Sequence, residues 1–253
     1  MGSMNVRFEE RRDNKDIIWV TGCPKSGTTW LARLLGQATN SPIGGPYDTA
    51  ISKYRNPPAS EENGRNGPFW IFQEHIASRP DTSRIKFVHV VRDPRDVAVS
   101  AFYYWKQESL EKALERLTTA GWPYCYSWHN VNTEWIKNGA ADHWVRYEDI
   151  LVNPAMETYK GYDRIGLGEY VTMGDCKIAA DLHEINKRRQ YAMEHGDKLN
   201  LGKEHQLRML RKGIAGDWKN LFTRELAKEA NDRFWPWLEY LDYEQDPNWW
   251  KQV

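Results

Sequence analysis

A polar loop that joins an apolar run to a helix pattern constrains the fold of this chain more than any other segment. The run DIIWVTG, residues 16–22, is short and apolar and predicts a buried strand. The sequence TTWLARLLGQA, residues 28–38, places its apolar residues at helical spacing. Loop N–H groups and a helix N-terminus in such a unit point at a common anion. The segment therefore predicts an anion cradle, with side-chain donors from Lys25, Ser26, Thr28 and Thr29.

This loop differs from the phosphate loop of nucleoside triphosphatases, G-x-x-x-x-G-K-[ST]. Gly22 and Gly27 have the right spacing, but Thr28 follows where the lysine should stand, and Lys25 lies inside the loop. The Ser/Thr of the triphosphatase loop holds Mg²⁺ against the phosphates. The position of Lys25 therefore indicates a different anion, and the loop lacks a clear metal partner.

Strand and helix patterns alternate along the rest of the chain. Further strands are predicted at 84–91 and in the first half of 142–150, and the segments 40–68 and 190–217 are interpreted as loops. Alternation of this kind predicts an α/β fold with a central parallel sheet flanked by helices, which binds ligands at the carboxyl ends of its strands. Helices are predicted at 28–38, 92–106, 108–119, 124–138 and 223–241, the last ended or kinked by Pro236.

Bulk properties narrow the class of protein. The 253 residues suit a single domain, placed at 4–253 because Met1-Gly2-Ser3 is typical of a cloning remnant. The 35 basic and 35 acidic residues balance, which argues against a general nucleic-acid binder. Three distant cysteines give no disulfide framework or zinc spacing, and apolar runs are too short for a membrane helix. We expect a soluble, cytoplasmic protein.

Two further basic segments could bind an anion. Arg92 directly precedes a helix whose N-cap is predicted to be Asp93, and Ser100 lies two turns into that helix. An arginine beside a helix N-terminus can donate two bonds to a phosphate. The sequence RKGIAGDWKNLFT places Arg211 and Lys212 next to Gly213, where the backbone can approach an anion closely.

Together, PKSGTTWL, VVRDPRDVAVSAFYYW and RKGIAGDWKN resemble the signature segments of the cytosolic-type sulfotransferases, in the same order. The resemblance implies a phosphosulfate-binding loop of the P-loop type and the co-substrate 3′-phosphoadenosine-5′-phosphosulfate (PAPS), with its product 3′-phosphoadenosine-5′-phosphate (PAP) and no metal. Lys25 would neutralise the oxygen that bridges phosphorus and sulfur, and Ser26 would position Lys25. The implied binding residues are Lys25, Ser26, Gly27, Thr28, Thr29 and Trp30 for the phosphosulfate and adenine, Tyr147 for adenine, and Arg92, Ser100, Arg211, Lys212 and Gly213 for the 3′-phosphate.

The family's catalytic base is a histidine in a Lys-Thr-His segment, and the matching place here reads FQEHIAS. The resemblance therefore assigns the base to His75. Gln73 and Glu74 replace the lysine and threonine, which removes one family cation and leaves Glu74 as an alternative base.

The acceptor is expected to be a small molecule that carries a hydroxyl or an amine. Aromatic residues in the variable segments indicate a planar or apolar acceptor, with candidate contacts from Tyr47, Phe72, Tyr103, Tyr104 and Trp105. Two alternatives remain open at this point: a nucleotide kinase or NTPase, with Asp93 as a Mg²⁺-binding acid, and a non-catalytic nucleotide-binding module.

A dimer segment of the family, K-x-x-x-T-V-x-x-x-E, corresponds here to KNLFTRELAK. Arg224 replaces its valine and Lys228 its glutamate. Because a charged arginine is costly to desolvate in a small interface, we expect a monomer, or a dimer through another surface.

Overall fold

A computed structural model describes residues 15–44, 65–76, 78–79, 85–119, 127–195 and 203–253. Its strands are β1 (Asp16–Gly22), β2 (Ile43–Gly44), β3 (Phe69–Gln73), β4 (Ile85–Val91) and β5 (His143–Arg146). Its α-helices are α1 (Thr28–Ala38), α2 (Pro94–Trp105), α3 (Leu110–Thr118), α4 (Trp128–Asn132), α5 (Tyr147–Val152), α6 (Pro154–Arg164), α7 (Met173–Leu182), α8 (Ile185–His195), α9 (Lys203–Met209) and α10 (Arg224–Tyr240). A π-helical turn covers Thr133–Lys137, and 3₁₀ turns cover Gly168–Tyr170, Asp217–Asn220 and Trp249–Gln252.

The described strands form one sheet in the order β2-β3-β1-β4-β5. Every pairing between neighbours is parallel, and Gly22 at the end of β1 lies opposite Val90 in β4. The predicted parallel sheet is therefore confirmed.

Both faces of the sheet are covered by helices. Successive strand residues point to opposite faces, so Trp19 and Phe87 enter one core cluster and Ile18 and Val88 enter the other. Residues of α2, α3 and α10 complete the first cluster, and residues of α1, α6 and α7 complete the second. The continuous apolar run in β1 follows from this two-sided burial.

The sheet order brings the functional segments together. β3, β1, β4 and β5 are consecutive neighbours, and because they are parallel their carboxyl ends share one edge. Residues 74–75, the loop 23–27, Arg92 and Tyr147 follow these four ends directly. The fold therefore assembles one site from four distant parts of the chain.

The predictions made from strong local signals are confirmed. The strands at 84–91 and 142–150 and the helices at 28–38, 92–106, 108–119 and 223–241 are present within a few residues of the expected bounds. The Asp93 side chain accepts a hydrogen bond from the Arg95 N–H, and Pro94 begins α2, as the capping pattern predicted. Pro236 does not end α10, which continues to Tyr240.

Other predictions are wrong or incomplete. The segment 190–217 was predicted to be a loop, but α8 extends to His195 and α9 occupies Lys203–Met209. Its lysines, arginines and glutamates are good helix formers, so charge alone did not indicate a loop. The strand β3 was not predicted, and the short β2 lies inside the predicted loop 40–68. The predicted helix 124–138 is α4 followed by the π-helical turn, and residues 120–126 lie outside the described part.

Two smaller observations complete the fold. Cys23 and Cys176 are buried, whereas Cys125 lies outside the described residues. No helix among the described residues is both long enough and apolar enough to cross a membrane.

Candidate active site

The loop after β1 has the backbone shape of an anion cradle. Lys25 has φ 72°, and Gly27, the N-cap of α1, has φ 98°. A Cβ on Gly27 would lie 2.5 Å from Cδ2 of Tyr147, so the position has no room for a side chain. Ser26 is fully buried, its N–H donates to the Cys23 carbonyl at 3.1 Å, and its Oγ has no hydrogen-bond partner within the described part of the chain. Such a buried, unpaired hydroxyl fits a ligand that supplies the missing partner.

Lys25 lies against aromatic rings at the end of α2. Its Nζ is 3.5 Å from the Tyr104 ring centroid and 5.9 Å from that of Trp105. Desolvation, followed by repulsion from Arg92, Arg208 and Arg211, lowers the pKa of Lys25 to about 7. An anion bound next to Lys25 would offset both the desolvation and the repulsion from the arginines, so the site favours a negatively charged ligand.

Arg92 connects the three site loops. Its guanidinium donates to the carbonyl oxygens of Lys25 and Ile214, each at 3.1 Å. It also lies 4.2 Å from the Tyr147 ring centroid. Its Nε is buried and has no hydrogen-bond partner among the residues that the structure describes. Arg92 is 8% exposed, so these contacts fix its position within the site.

Tyr147 and Trp30 form the expected aromatic part of the site. Their rings meet edge to face, with centroids 5.7 Å apart. Tyr147 is the first residue of α5 and is buried, and burial raises the pKa of its phenol. Because Tyr147 also contacts Gly27 and Arg92, it joins the loop after β1 to the loop after β4.

His75 follows β3, and its Nδ1 lies 2.7 Å from the Gly22 carbonyl oxygen. A carbonyl only accepts hydrogen bonds, so Nδ1 carries the proton and Nε2 is left as the basic nitrogen. Desolvation lowers the pKa of His75 to about 4, with a further lowering from the Lys25 charge, although the bond to Gly22 opposes the change. The ring is therefore neutral at physiological pH.

The two residues before His75 also contact β1 and α1. Gln73 is buried and accepts a hydrogen bond from Thr29 Oγ1 at 2.9 Å. The backbone N–H of Glu74 donates to the Val20 carbonyl at 3.1 Å. Gln73 thus supports the anion loop with a neutral side chain, where the resemblance implies a lysine.

Arg211 and Lys212 lie together before a left-handed glycine. Gly213 has φ 67°, and a Cβ there would meet the Ile185 side chain at 2.1 Å. Arg211 stacks 4.5 Å from the Tyr103 ring centroid. The Arg92 bond to Ile214 brings this segment to the loop after β4.

The other residues predicted to bind the nucleotide or the acceptor lie in different environments. Ser100 is half-buried on α2, and Phe72 is 7% exposed within the core, 6.0 Å from the Trp19 ring. Tyr103 is exposed beside Arg211, and Tyr104 and Trp105 lie beside Lys25. Tyr47 lies outside the described residues.

Two acids that the sequence interpretation missed support the site. Asp96 accepts hydrogen bonds from the backbone N–H groups of Gly216 and Trp218, and Asp217 pairs with both Arg211 and Lys212. Asp96 lies in the first turn of α2, where an acid is common, so its position in the sequence does not indicate this contact. The available sequence signal for Asp217 was its spacing, since it lies five residues after Lys212 and six after Arg211. Among the residues that the structure describes, no group of three or more His, Cys, Asp or Glu side chains could hold a metal.

Comparison with known proteins identifies the family. The sulfotransferase domain matches residues 68–242. Mouse sulfotransferase 2A6 is 26% identical over 234 residues, covering 83% of this chain and 79% of that protein. Flavonol 3-sulfotransferase of Flaveria bidentis is 24% identical over 256 residues, covering 85% and 79%. Mouse sulfotransferase SULT7A1 complexed with PAP superposes with a TM-score of 0.66 at 21% identity, covering 94% and 88%.

The chain belongs to the sulfotransferase family, since the match covers more than half of its length. It is an enzyme that transfers a sulfuryl group. The kinase or NTPase alternative is not favoured. Its proposed Mg²⁺ ligand, Asp93, caps α2 and pairs with the Arg95 guanidinium at 2.6 Å.

Proposed function

We propose that this enzyme moves the sulfuryl group of PAPS to the hydroxyl or amine of a small-molecule acceptor, with His75 as the general base. The observation that carries the proposal is the bond from His75 Nδ1 to the Gly22 carbonyl. It fixes the tautomer, so Nε2 is the nitrogen able to accept a proton beside the anion loop.

The donor PAPS supplies the sulfuryl group. In the proposed step, an acceptor oxygen or nitrogen forms a bond to sulfur while the bond from sulfur to the bridging phosphate oxygen breaks. His75 Nε2 takes the acceptor proton, and the electron pair of the broken bond stays on the phosphate, beside Lys25. Because charge grows on that oxygen, a lysine held next to it favours the transition state over the ground state.

The residues present fit such a donor. Ser26 Oγ, Trp30 Nε1 and Arg92 Nε are buried polar atoms that have no partner among the described residues. All three belong to the segments that follow β1 and β4, where a phosphorylated nucleotide would lie. We assign Lys25, Ser26, Gly27, Thr28, Thr29 and Trp30 to the phosphosulfate and adenine, Tyr147 to adenine, and Arg92, Ser100, Arg211, Lys212 and Gly213 to the 3′-phosphate.

The acceptor is proposed to be planar or apolar. Tyr104 and Trp105 lie beside Lys25, where the acceptor must approach. Two relatives act on or bind molecules of this kind: a flavonol 3-sulfotransferase, and a retinol dehydratase solved with androsterone and PAP (TM-score 0.59, 18% identity, covering 85% of this chain and 78% of that one). Incubation with PAPS and pooled phenols, sterols and amines, followed by mass spectrometry of sulfated products, identifies the acceptor. Metal independence and a cytoplasmic location remain predictions.

Thermal stabilisation tests the donor. PAP without metal at 100 times its Kd should add about 2.7 kcal/mol to the free energy of unfolding. ATP with Mg²⁺ should add much less, because it lacks a 3′-phosphate. Equal stabilisation by the two ligands would contradict the PAPS site.

Substitution of Arg92 tests the assignment of the 3′-phosphate. Arg92→Ala should weaken PAP binding by about 1.5–3 kcal/mol, the usual value of a hydrogen bond to a charged group. Arg233→Ala is a matched control, because Arg233 pairs with Glu229 at 2.7 Å on α10. An unchanged PAP affinity in Arg92→Ala would remove Arg92 from the site.

A further inference from the structure

A buried carboxylate lies beneath the two cations that follow α9. Asp217 begins the 3₁₀ turn Asp217–Asn220 and is 1% exposed. Its Oδ2 accepts from Arg211 Nη2 at 2.7 Å, and its Oδ1 accepts from Lys212 Nζ at 2.6 Å. The side chains of Arg211 and Lys212 are 23% and 47% exposed. The acid is therefore on the inner side, and the cations separate it from solvent.

The backbone on both sides of Asp217 is anchored to α2. Asp96 accepts from the Gly216 N–H at 2.6 Å and from the Trp218 N–H at 3.1 Å. Asp96 is itself 1% exposed and lies 3.9 Å from the Arg92 guanidinium. The backbone at Asp217 is consequently fixed relative to the helix that follows Arg92, and its carboxylate can turn outward only by losing its bonds to Arg211 and Lys212.

This arrangement leaves donors for an external anion. A guanidinium has five N–H donors and an ammonium has three, and Asp217 accepts one from each side chain. The triad keeps a net charge of +1, because the bonds from Lys212 and Arg211 outweigh the effect of burial and hold the pKa of Asp217 below its ordinary value. The remaining donors and the net positive charge favour a phosphate dianion over a neutral ribose hydroxyl.

We propose that Asp217 is a positioning residue that sets selectivity for a 3′-phosphorylated nucleotide. Its fixed carboxylate holds Arg211 and Lys212 side by side despite their mutual repulsion, and so presents both to one phosphate. Without it, the two half-exposed cations separate into solvent, and phosphate binding must order them again. The inference rests on the proposed function, which assigns the 3′-phosphate to these cations.

The test compares PAP with adenosine 5′-monophosphate (AMP), which lacks only the 3′-phosphate. Calorimetric Kd values for both ligands give a selectivity ratio for each variant. Asp217→Asn should reduce that ratio by roughly 10- to 100-fold, as expected for losing a bond to a charged group. A gain of positive charge beside the 3′-phosphate would instead strengthen PAP more than AMP and raise the ratio, so the sign of the change separates the two effects. Asp232→Asn, which breaks the exposed Lys228–Asp232 pair of 2.6 Å, is the control and should not change it.

Further variants separate positioning from folding. Asp217→Ser should reduce the ratio as Asp217→Asn does, with native circular dichroism. In a Lys212→Met background, Asp217→Asn should change the selectivity ratio less than in the wild-type enzyme, because Asp217 has already lost one of its two cationic partners. An unchanged ratio, an equal loss of PAP and AMP, or failure of both Asp217 variants to fold would overturn the inference. A wild-type enzyme that binds PAP and AMP equally would instead contradict the proposed 3′-phosphate site.

Discussion

At the scale of single residues, the environment of each ionisable side chain defines its role. His75 and Lys25 both have lowered pKa values, and desolvation is the main cause for each. The consequences are opposite, because a neutral imidazole can accept a proton, whereas a neutral lysine loses its attraction for an anion. The two residues are also coupled, since the Lys25 charge lowers the pKa of His75.

Replacement of His75 should affect turnover much more than binding. We expect His75→Ala to lower kcat by roughly 10²–10⁴, the usual contribution of a general base, with PAP affinity nearly intact. Steady-state kinetics with an identified acceptor, together with PAP titration, provides the measurement. Glu74→Gln is the neighbouring control. If Glu74→Gln abolishes turnover while His75→Ala is mild, the base is Glu74.

The pH dependence of PAP binding should follow Lys25. With a pKa of about 7 in the free enzyme, Lys25 is charged below that pH and loses its proton above it. An anion favours the charged form, so PAP binding should take up a proton above pH 7, and its Kd should rise by up to about tenfold per pH unit.

Calorimetry between pH 6 and pH 9, in buffers of different ionisation enthalpy, measures both the Kd and the proton uptake. Lys25→Arg is the control, because arginine stays charged throughout this range and should remove the dependence. A Kd that is constant from pH 7 to pH 9 in the wild-type enzyme would show that Lys25 is charged without its ligand.

At the scale of elements, the junction between β1 and α1 depends on one close contact. Gly27 combines φ 98° with a Tyr147 ring 2.5 Å from the place of a Cβ. Gly139 also has positive φ, 71°, but a Cβ there would meet nothing within 4 Å. A comparison of substitutions at the two glycines therefore separates the cost of a positive φ from the cost of a clash with Tyr147.

Gly139→Ala should lower the free energy of unfolding by only about 1–2 kcal/mol, the cost of placing a Cβ on a left-handed backbone. PAP affinity should not change. Gly27→Ala should lower the free energy of unfolding by about 1–3 kcal/mol more than Gly139→Ala does, because the Tyr147 ring must move to make room for the new methyl group. That movement also displaces the partner of Trp30 and Arg92, so PAP affinity should fall. Denaturant unfolding and PAP titration of both variants check these outcomes. Equal behaviour of the two variants would show that the Tyr147 contact is unimportant.

At the scale of the whole molecule, the terminal 3₁₀ turn covers the segment that corresponds to the family dimer motif. Arg224 and Lys228 lie 5.6 and 5.8 Å from the Trp250 ring centroid, and Lys228 also pairs with Asp232. Thr223 caps α10 by accepting the Leu226 N–H at 3.3 Å. These contacts within the chain occupy side chains that a partner subunit would need.

We therefore expect light scattering at micromolar concentration to give the monomer mass of 29.7 kDa. A dimer through another surface would be insensitive to Lys228→Glu, which restores the acid of the motif. A wild-type dimer that Thr223→Glu converts to a monomer would contradict the reasoning, provided that circular dichroism shows α10 intact without its cap.

The sequence predicts those parts of the fold and site that depend on local signals. The loop at Lys25, the capped helix at Asp93 and the strands β1 and β4 have apolar runs, glycines or capping residues at fixed spacing. The strand β3 has only FWIFQ, which carries no alternation and no turn signal at its end. Asp96 acts through contacts between α2 and a segment more than a hundred residues later, and no local pattern encodes such a contact.

The central position of β1 also has a consequence for biosynthesis. β1 is the first described strand to leave the ribosome, but its sheet neighbours β3 and β4 are made much later. Until Gln73 and Val91 have been synthesised, both edges of an apolar strand lack their partners and remain open to association with other chains. The same delay applies to the proposed nucleotide site, which draws on residues from Lys25 to Lys212. Nucleotide binding is therefore expected to stabilise the fold only once most of the chain has been synthesised.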